Sequence, residues 1–190
     1  MKILIVRPWP SVLDVTKNTY NIQEVGLAKA LVKRGHPTDI LFWTDGDEMT
    51  VKVEVEGAKP IHVFYRHGKV LLKNVWFGGQ EKLFARYDVL QTAEYNQMFS
   101  WHLAGKYPEK TVVYHGPYYS PFNKNYNRMC RVFDALFVGR YRRCGTRFLT
   151  KSELARKFLL EKRLSPEQVT TVGVGIDAEL LRDRPDAGQT

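Results

Sequence analysis

The chain has 190 residues, 44% of them hydrophobic and 13% aromatic, which is enough to close one core and too apolar for a disordered polymer. Twenty-nine Lys and Arg against twenty Asp and Glu give a formal charge of +9, so an anionic partner or surface enters the argument from the start. No apolar run approaches the roughly 18 residues of a membrane span, and the one within residues 1–10 is too short and too early for a signal peptide; a cytoplasmic chain is expected.

Residues 2–6 (KILIV) predict a buried strand, ended by Pro8 and Pro10. Asn21 then offers an N-cap with Glu24 three residues on. Ile22, Val25, Ala28, Leu31 and Val32 recur on one helical face until Gly35 stops the helix. Residues 39–43 (DILFW) form a second apolar run, so the opening unit is βαβ with parallel strands. Residues 51–56 alternate strictly and residues 61–65 follow a Pro break; both predict short strands with one wet face. Buried strands are expected at residues 87–91 and 111–115, with a helix over about residues 97–106 between them. The helical pattern returns over about residues 126–141. A short strand at residues 146–150, a helix capped by Ser152 and a strand at residues 169–172 complete the series. Residues 1–176 therefore predict one Rossmann-like domain, a doubly wound, mostly parallel α/β sheet with helices on both faces. The polar tail at residues 177–190 reads as a linker. Cys130 and Cys144 fit no metal spacing and flank the helical stretch about 20 Å apart, so no disulfide is expected.

In such a sheet ligands bind beyond the carboxyl ends of the strands, which directs attention to the loops after Val6, Gln91 and His115. The first loop carries Thr16 and Lys17 just before the helix start, a candidate anion site with a plain solvated loop as its alternative. Neither dinucleotide nor P-loop glycine spacing is present. Glu94 and Tyr95 follow one strand end, and His115, Gly116 and Tyr118 follow the next. Carboxylate and imidazole accept hydroxyl protons while aromatic rings cover sugar faces, so this set suits a hydroxyl-rich ligand. Singly, Glu94 reads as a surface acid and Tyr118 as loop packing.

Charge is concentrated. Residues 124–163 hold twelve Lys or Arg against three acids, and the rest of the chain is neutral. Met129, Val132, Phe133, Leu136 and Phe137 make the first helix of this segment amphipathic, with core packing of the apolar side as the plain expectation. Arg140, Arg142, Arg143 and Arg147 are candidates for contact with an anionic membrane surface. No zinc spacing or RNA-binding signature accompanies them, so nucleic acid rests on charge alone.

Six segments, residues 1–6 (MKILIV), 25–36 (VGLAKALVKRGH), 87–91 (YDVLQ), 113–116 (VYHG), 148–152 (FLTKS) and 172–177 (VGVGID), resemble in order the N-terminal half of family 4 glycosyltransferases with the GT-B fold. The resemblance implies the acceptor side of a retaining, metal-independent enzyme. Such an enzyme uses a nucleotide-sugar donor as substrate and no cofactor. By the same resemblance His115 lines the sugar site, Glu94 and Tyr95 contact the acceptor, and Ser152 caps a helix. It also implies a donor-binding domain beyond residue 177, without which the chain is expected to lack turnover. The first loop departs from the family pattern, with Thr16 and Lys17 where paired glycines usually stand. The competing expectation is a non-catalytic Rossmann-like module that recruits an acceptor or partner.

Overall fold

The computed structural model describes residues 1–17 and 22–175. The chain opens with β1 (Ile3–Val6), α1 (Gln23–Lys33) and β2 (Thr38–Trp43), the expected βαβ unit. Asn21 lies outside the described residues, and Ile22 occupies the N-cap position without a side-chain bond. The far end of α1 closes as the sequence predicts: Gly35 takes φ +82°, its amide donates to Val32 and that of His36 to Leu31. This pairing satisfies two of the carbonyls a helix end leaves free.

Next come β3 (Met49–Val53), β4 (Ile61–Arg66), the short hairpin β5 (Lys69–Leu71) and β6 (Asn74–Trp76), and α2 (Glu81–Phe84). β7 (Val89–Ala93), α3 (Met98–Lys106) and β8 (Thr111–His115) follow, then α4 (Lys124–Leu136), α5 (Val138–Arg143), β9 (Arg147–Thr150), α6 (Glu153–Glu161) and β10 (Val169–Thr171). Eight strands form one sheet in the order β10-β9-β8-β7-β1-β2-β4-β3. Only β3, on the edge, runs antiparallel to its neighbour.

Side-chain alternation divides the core. Ile3 and Ile5 of β1 point to the face covered by α1, with Ala28, Val32, Ile40 and Phe42. Leu4 and Val6 point to the opposite face, with Leu41, Leu90, Phe99 and Leu103 of α3. A third cluster joins Val113 and Phe148 to Phe133, Tyr141, Phe158 and Leu159 from α4, α5 and α6. Helices on both faces of a mostly parallel sheet are the Rossmann-like architecture expected.

Three local expectations are corrected. The wet face of β4 is only partial: it lies between β2 and β3 and buries Ile61, Val63, Phe64 and Tyr65, leaving His62 exposed and Arg66 half-buried. β7 starts at Val89, two residues late, because its partner β1 starts only at Ile3; Asp88 instead accepts the backbone N–H of Lys2 at 2.7 Å. The helical stretch at residues 126–141 breaks at Phe137, whose carbonyl accepts the Trp101 indole N–H at 3.0 Å. Both cysteines are free, as expected.

Candidate functional site

Strand order reverses between β1 and β7, so the loops after these strands flank the crevice of the sheet. On the β1 side, Arg7 donates to Glu24 at 2.8 Å and to Ser11 at 3.3 Å, tying the loop to the start of α1. Tyr65 holds the same loop from β4 through the carbonyl of Leu13 and the amide of Val15. Thr16 and Lys17 both lie beside Asp14. The backbone N–H and hydroxyl of Thr16 both donate to Asp14, and the Lys17 ammonium lies 3.4 Å from the same carboxylate. The Thr16 hydrogen bonds hold the Asp14 carboxyl below its ordinary range.

On the other side the site is built by register. Ala93 pairs with Tyr114, and His115 with Thr150. The ends of three adjacent parallel strands therefore bring Glu94, His115 and Lys151 into one row. The Glu94 carboxylate takes the His115 Nδ1 at 2.7 Å, the Gly116 N–H at 3.3 Å and the Lys151 ammonium at 3.6 Å. Glu94 is thus no surface acid; it is buried, and it adopts φ +60°, a conformation β-carbon-bearing residues take at a cost of about 1 kcal/mol or more. Gly116 makes room for the third member of the row. A Cβ there would lie 2.5 Å from Lys151 Cδ, so any larger residue displaces the lysine that reaches Glu94.

Behind this row the packing is aromatic. His115 is fully buried, stacked on Phe158 with centroids 5.5 Å apart and met edge-on by Tyr95 at 5.2 Å. Tyr95 also meets Phe133 and Phe158 edge-on, and burial pushes its hydroxyl pKa far above the usual tyrosine range. One sequence expectation changes accordingly: Tyr95 belongs to the core, fully buried among His115, Phe133 and Phe158. The His115 imidazole is also fully buried, with Nδ1 against Glu94 and Nε2 without a hydrogen-bond partner among the described residues, so its removal costs stability. The side chains reachable from solvent are Lys151, the edge of Glu94 and the half-exposed Tyr118.

Sequence reasoning missed Lys151 and Lys162. The strand-end rule that singled out His115 applies equally to Thr150 and Lys151, so the first was findable. Lys162 was not: its ammonium, only 3% exposed, pairs with Asp134 from α4, donates to the Tyr119 hydroxyl at 3.1 Å and lies 3.9 Å from the Phe158 ring centre. The pair ties α6 to α4 and fixes the ring against which His115 stacks.

Arg140 lies over the Trp101 ring at 3.4 Å, and Arg142 donates to the carbonyl of Lys162 at the end of α6 at 2.9 Å. Arg142, Arg143 and Arg147 are exposed.

Residues 25–180 match the family model described as Glycosyltransferase Family 4. The chain belongs to that family. The match spans the whole row, with Glu94, His115 and Lys151 inside it and Thr16 and Lys17 outside. No curated protein matches the chain at a significant level. In this family 4 chain, membership and sheet topology agree.

Proposed function

We propose that this family 4 chain is the acceptor-side domain of a retaining, GT-B type glycosyltransferase, acting without a metal and taking a nucleotide-sugar as donor substrate. The supporting observation is the Glu94–His115–Lys151 row at the carboxyl edge of the sheet, beside the strand-order reversal. A carboxylate with a free edge accepts a hydroxyl proton of a sugar or polyol, and an adjacent ammonium donates to another oxygen of the same ligand. His115 holds the carboxylate in its position, and Gly116 leaves room for the Lys151 stem beside it. The one ammonium of the row is paired with Glu94, so the cations that a donor diphosphate needs are assigned to a second domain. The reading places the enzyme in the cytoplasm, peripheral to the membrane.

Titration calorimetry or ligand-detected NMR with a panel of glycosides, polyols and nucleotide-sugars tests the assignment. Expected is binding of a hydroxyl-rich acceptor that weakens about tenfold or more in Lys151→Met and Glu94→Gln, with nucleotide-sugars bound only weakly. Micromolar donor binding without any acceptor binding, or acceptor binding indifferent to both substitutions, overturns it.

A further inference from the structure

The core of the domain uses only part of α4. Advancing about 100° per residue, Tyr126, Cys130 and Phe133 fall on the side packed into the domain, with Cys130 and Phe133 buried. Met129, Val132 and Leu136, spaced i, i+3, i+7, form a second apolar row, and it is bare: they are 62%, 57% and 68% exposed. Phe122, just ahead of the helix, is 97% exposed. Beside this row, roughly 100° further round, runs a third made of Lys124, Arg128 and Arg131, all exposed. None of these three enters an ion pair among the described residues. The one acid of α4, Asp134, faces the other way into its pair with Lys162.

The sequence expectation that the apolar side packs into the core therefore holds for only one of two apolar rows. An apolar row bordered by cations, without an acid on either, is complementary to a layer that presents anionic groups above hydrocarbon. A helix of this length, about 20 Å, lies along such a layer with its apolar row at the acyl boundary and its lysine and arginines among the headgroups.

We infer that α4 and Phe122 form a membrane-docking face that lays the domain reversibly on an anionic bilayer. This moves the site of contact from the four arginines at residues 140–147 to the bare side of α4. The inference extends the peripheral placement proposed above, but its binding reads no transfer, so a failed acceptor assignment leaves it standing and the reverse also holds.

The test is flotation of the purified chain with vesicles of phosphatidylcholine alone and of phosphatidylcholine with a third phosphatidylglycerol, at low and high salt. Expected is at least tenfold stronger binding to the anionic vesicles at low salt, largely lost when salt shortens the screening length to about 3 Å. Met129→Ser/Val132→Ser/Leu136→Ser is expected to weaken binding more than tenfold, and Lys124→Glu/Arg128→Glu/Arg131→Glu more than fiftyfold, with melting temperatures close to the parent since all six residues are exposed. The single substitutions Arg128→Glu and Leu136→Ser, at about fivefold each, serve if a triple variant does not fold. Leu71→Ser/Leu72→Ser, which removes exposed apolar residues at the β5–β6 turn instead, should bind within twofold of the parent. Equal binding to both vesicle types, binding to neither, or parent-like binding by the serine variants overturns the inference. Retention of a nucleic acid or protein partner through α4, with no vesicle binding, overturns it too.

Discussion

Replacing His115 with alanine separates a buried positioning residue from a crevice residue. The substitution empties the space between Tyr95 and Phe158, a large-to-small change in a packed core that costs about 2–3 kcal/mol for a ring of this size. It also strips the Glu94 carboxylate of its nearest partner at 2.7 Å while leaving the Gly116 amide and Lys151, a further loss of about 1–2 kcal/mol. The sum, about 3–5 kcal/mol, lowers the melting temperature of a domain of this size by roughly 10 °C. Glu94→Gln keeps the shape of the side chain and one acceptor oxygen, so alone it should cost no more than about 1.5 kcal/mol. Because both changes act on the same contact, the double variant should fall short of additivity by about 1 kcal/mol. Thermal and urea unfolding followed by circular dichroism measure all four proteins. A drop of less than about 2 °C for His115→Ala, or strict additivity of the pair, would refute the argument that the imidazole acts from within the core.

Gly116→Ala should move Lys151 off Glu94 and weaken acceptor binding severalfold in the calorimetric titration, while stability changes by less than about 1 kcal/mol because the lysine stem is flexible. Lys162→Met should cost about 2–3 kcal/mol in urea unfolding by leaving Asp134 and Tyr119 without their cation, and adding Asp134→Asn should recover part of that loss. Gly35→Ala meets no neighbour, so its cost of about 1 kcal/mol, read from a thermal melt, comes from φ +82° alone and should shrink in Gly35→Asn. Burial first, then the nearby charges of Lys106 and Arg140, hold the His102 pKa below its usual 6.5. The unfolded chain therefore takes up a proton more readily than the folded one. The His102 contribution is present above about pH 6.5 and is lost as pH falls below it, and a His102→Phe variant should show a shallower decline of urea midpoint over that window.

The first βαβ unit and β8 were legible because apolar runs mark them, in the first unit bounded by Pro8, Pro10 and Gly35. β8 spans Thr111–His115 as the sequence predicts. The β5–β6 hairpin was not, because its turn is made by Leu72 and Lys73 at φ 49° and 63°, where Asn or Gly would have announced it. The break between α4 and α5 carries no Pro, and a distant indole on α3 bonds its carbonyl, so only the folded chain contains the cause. At the site, strand-end placement identified Glu94 and His115 as neighbours. Burial was the illegible part: whether a histidine lies before or behind a carboxylate depends on Phe158 from an element more than forty residues away.

The central strand has one late neighbour. β1 pairs with β2 within the opening forty-odd residues, but its other edge waits for β7, and the bond that starts that pairing, from Lys2 to Asp88, spans 86 positions. On a ribosome adding about 5–20 residues per second, that edge stays unmatched for several seconds after β1 has emerged. During that interval, the nascent chain presents a strand of four apolar residues with open backbone donors and acceptors, the kind of segment that chaperones shield and neighbouring nascent chains can capture. Synthesis pace between residues 43 and 89 is then itself a determinant of yield: slowing translation there should raise aggregation of this domain, whereas slowing it after β8 should not.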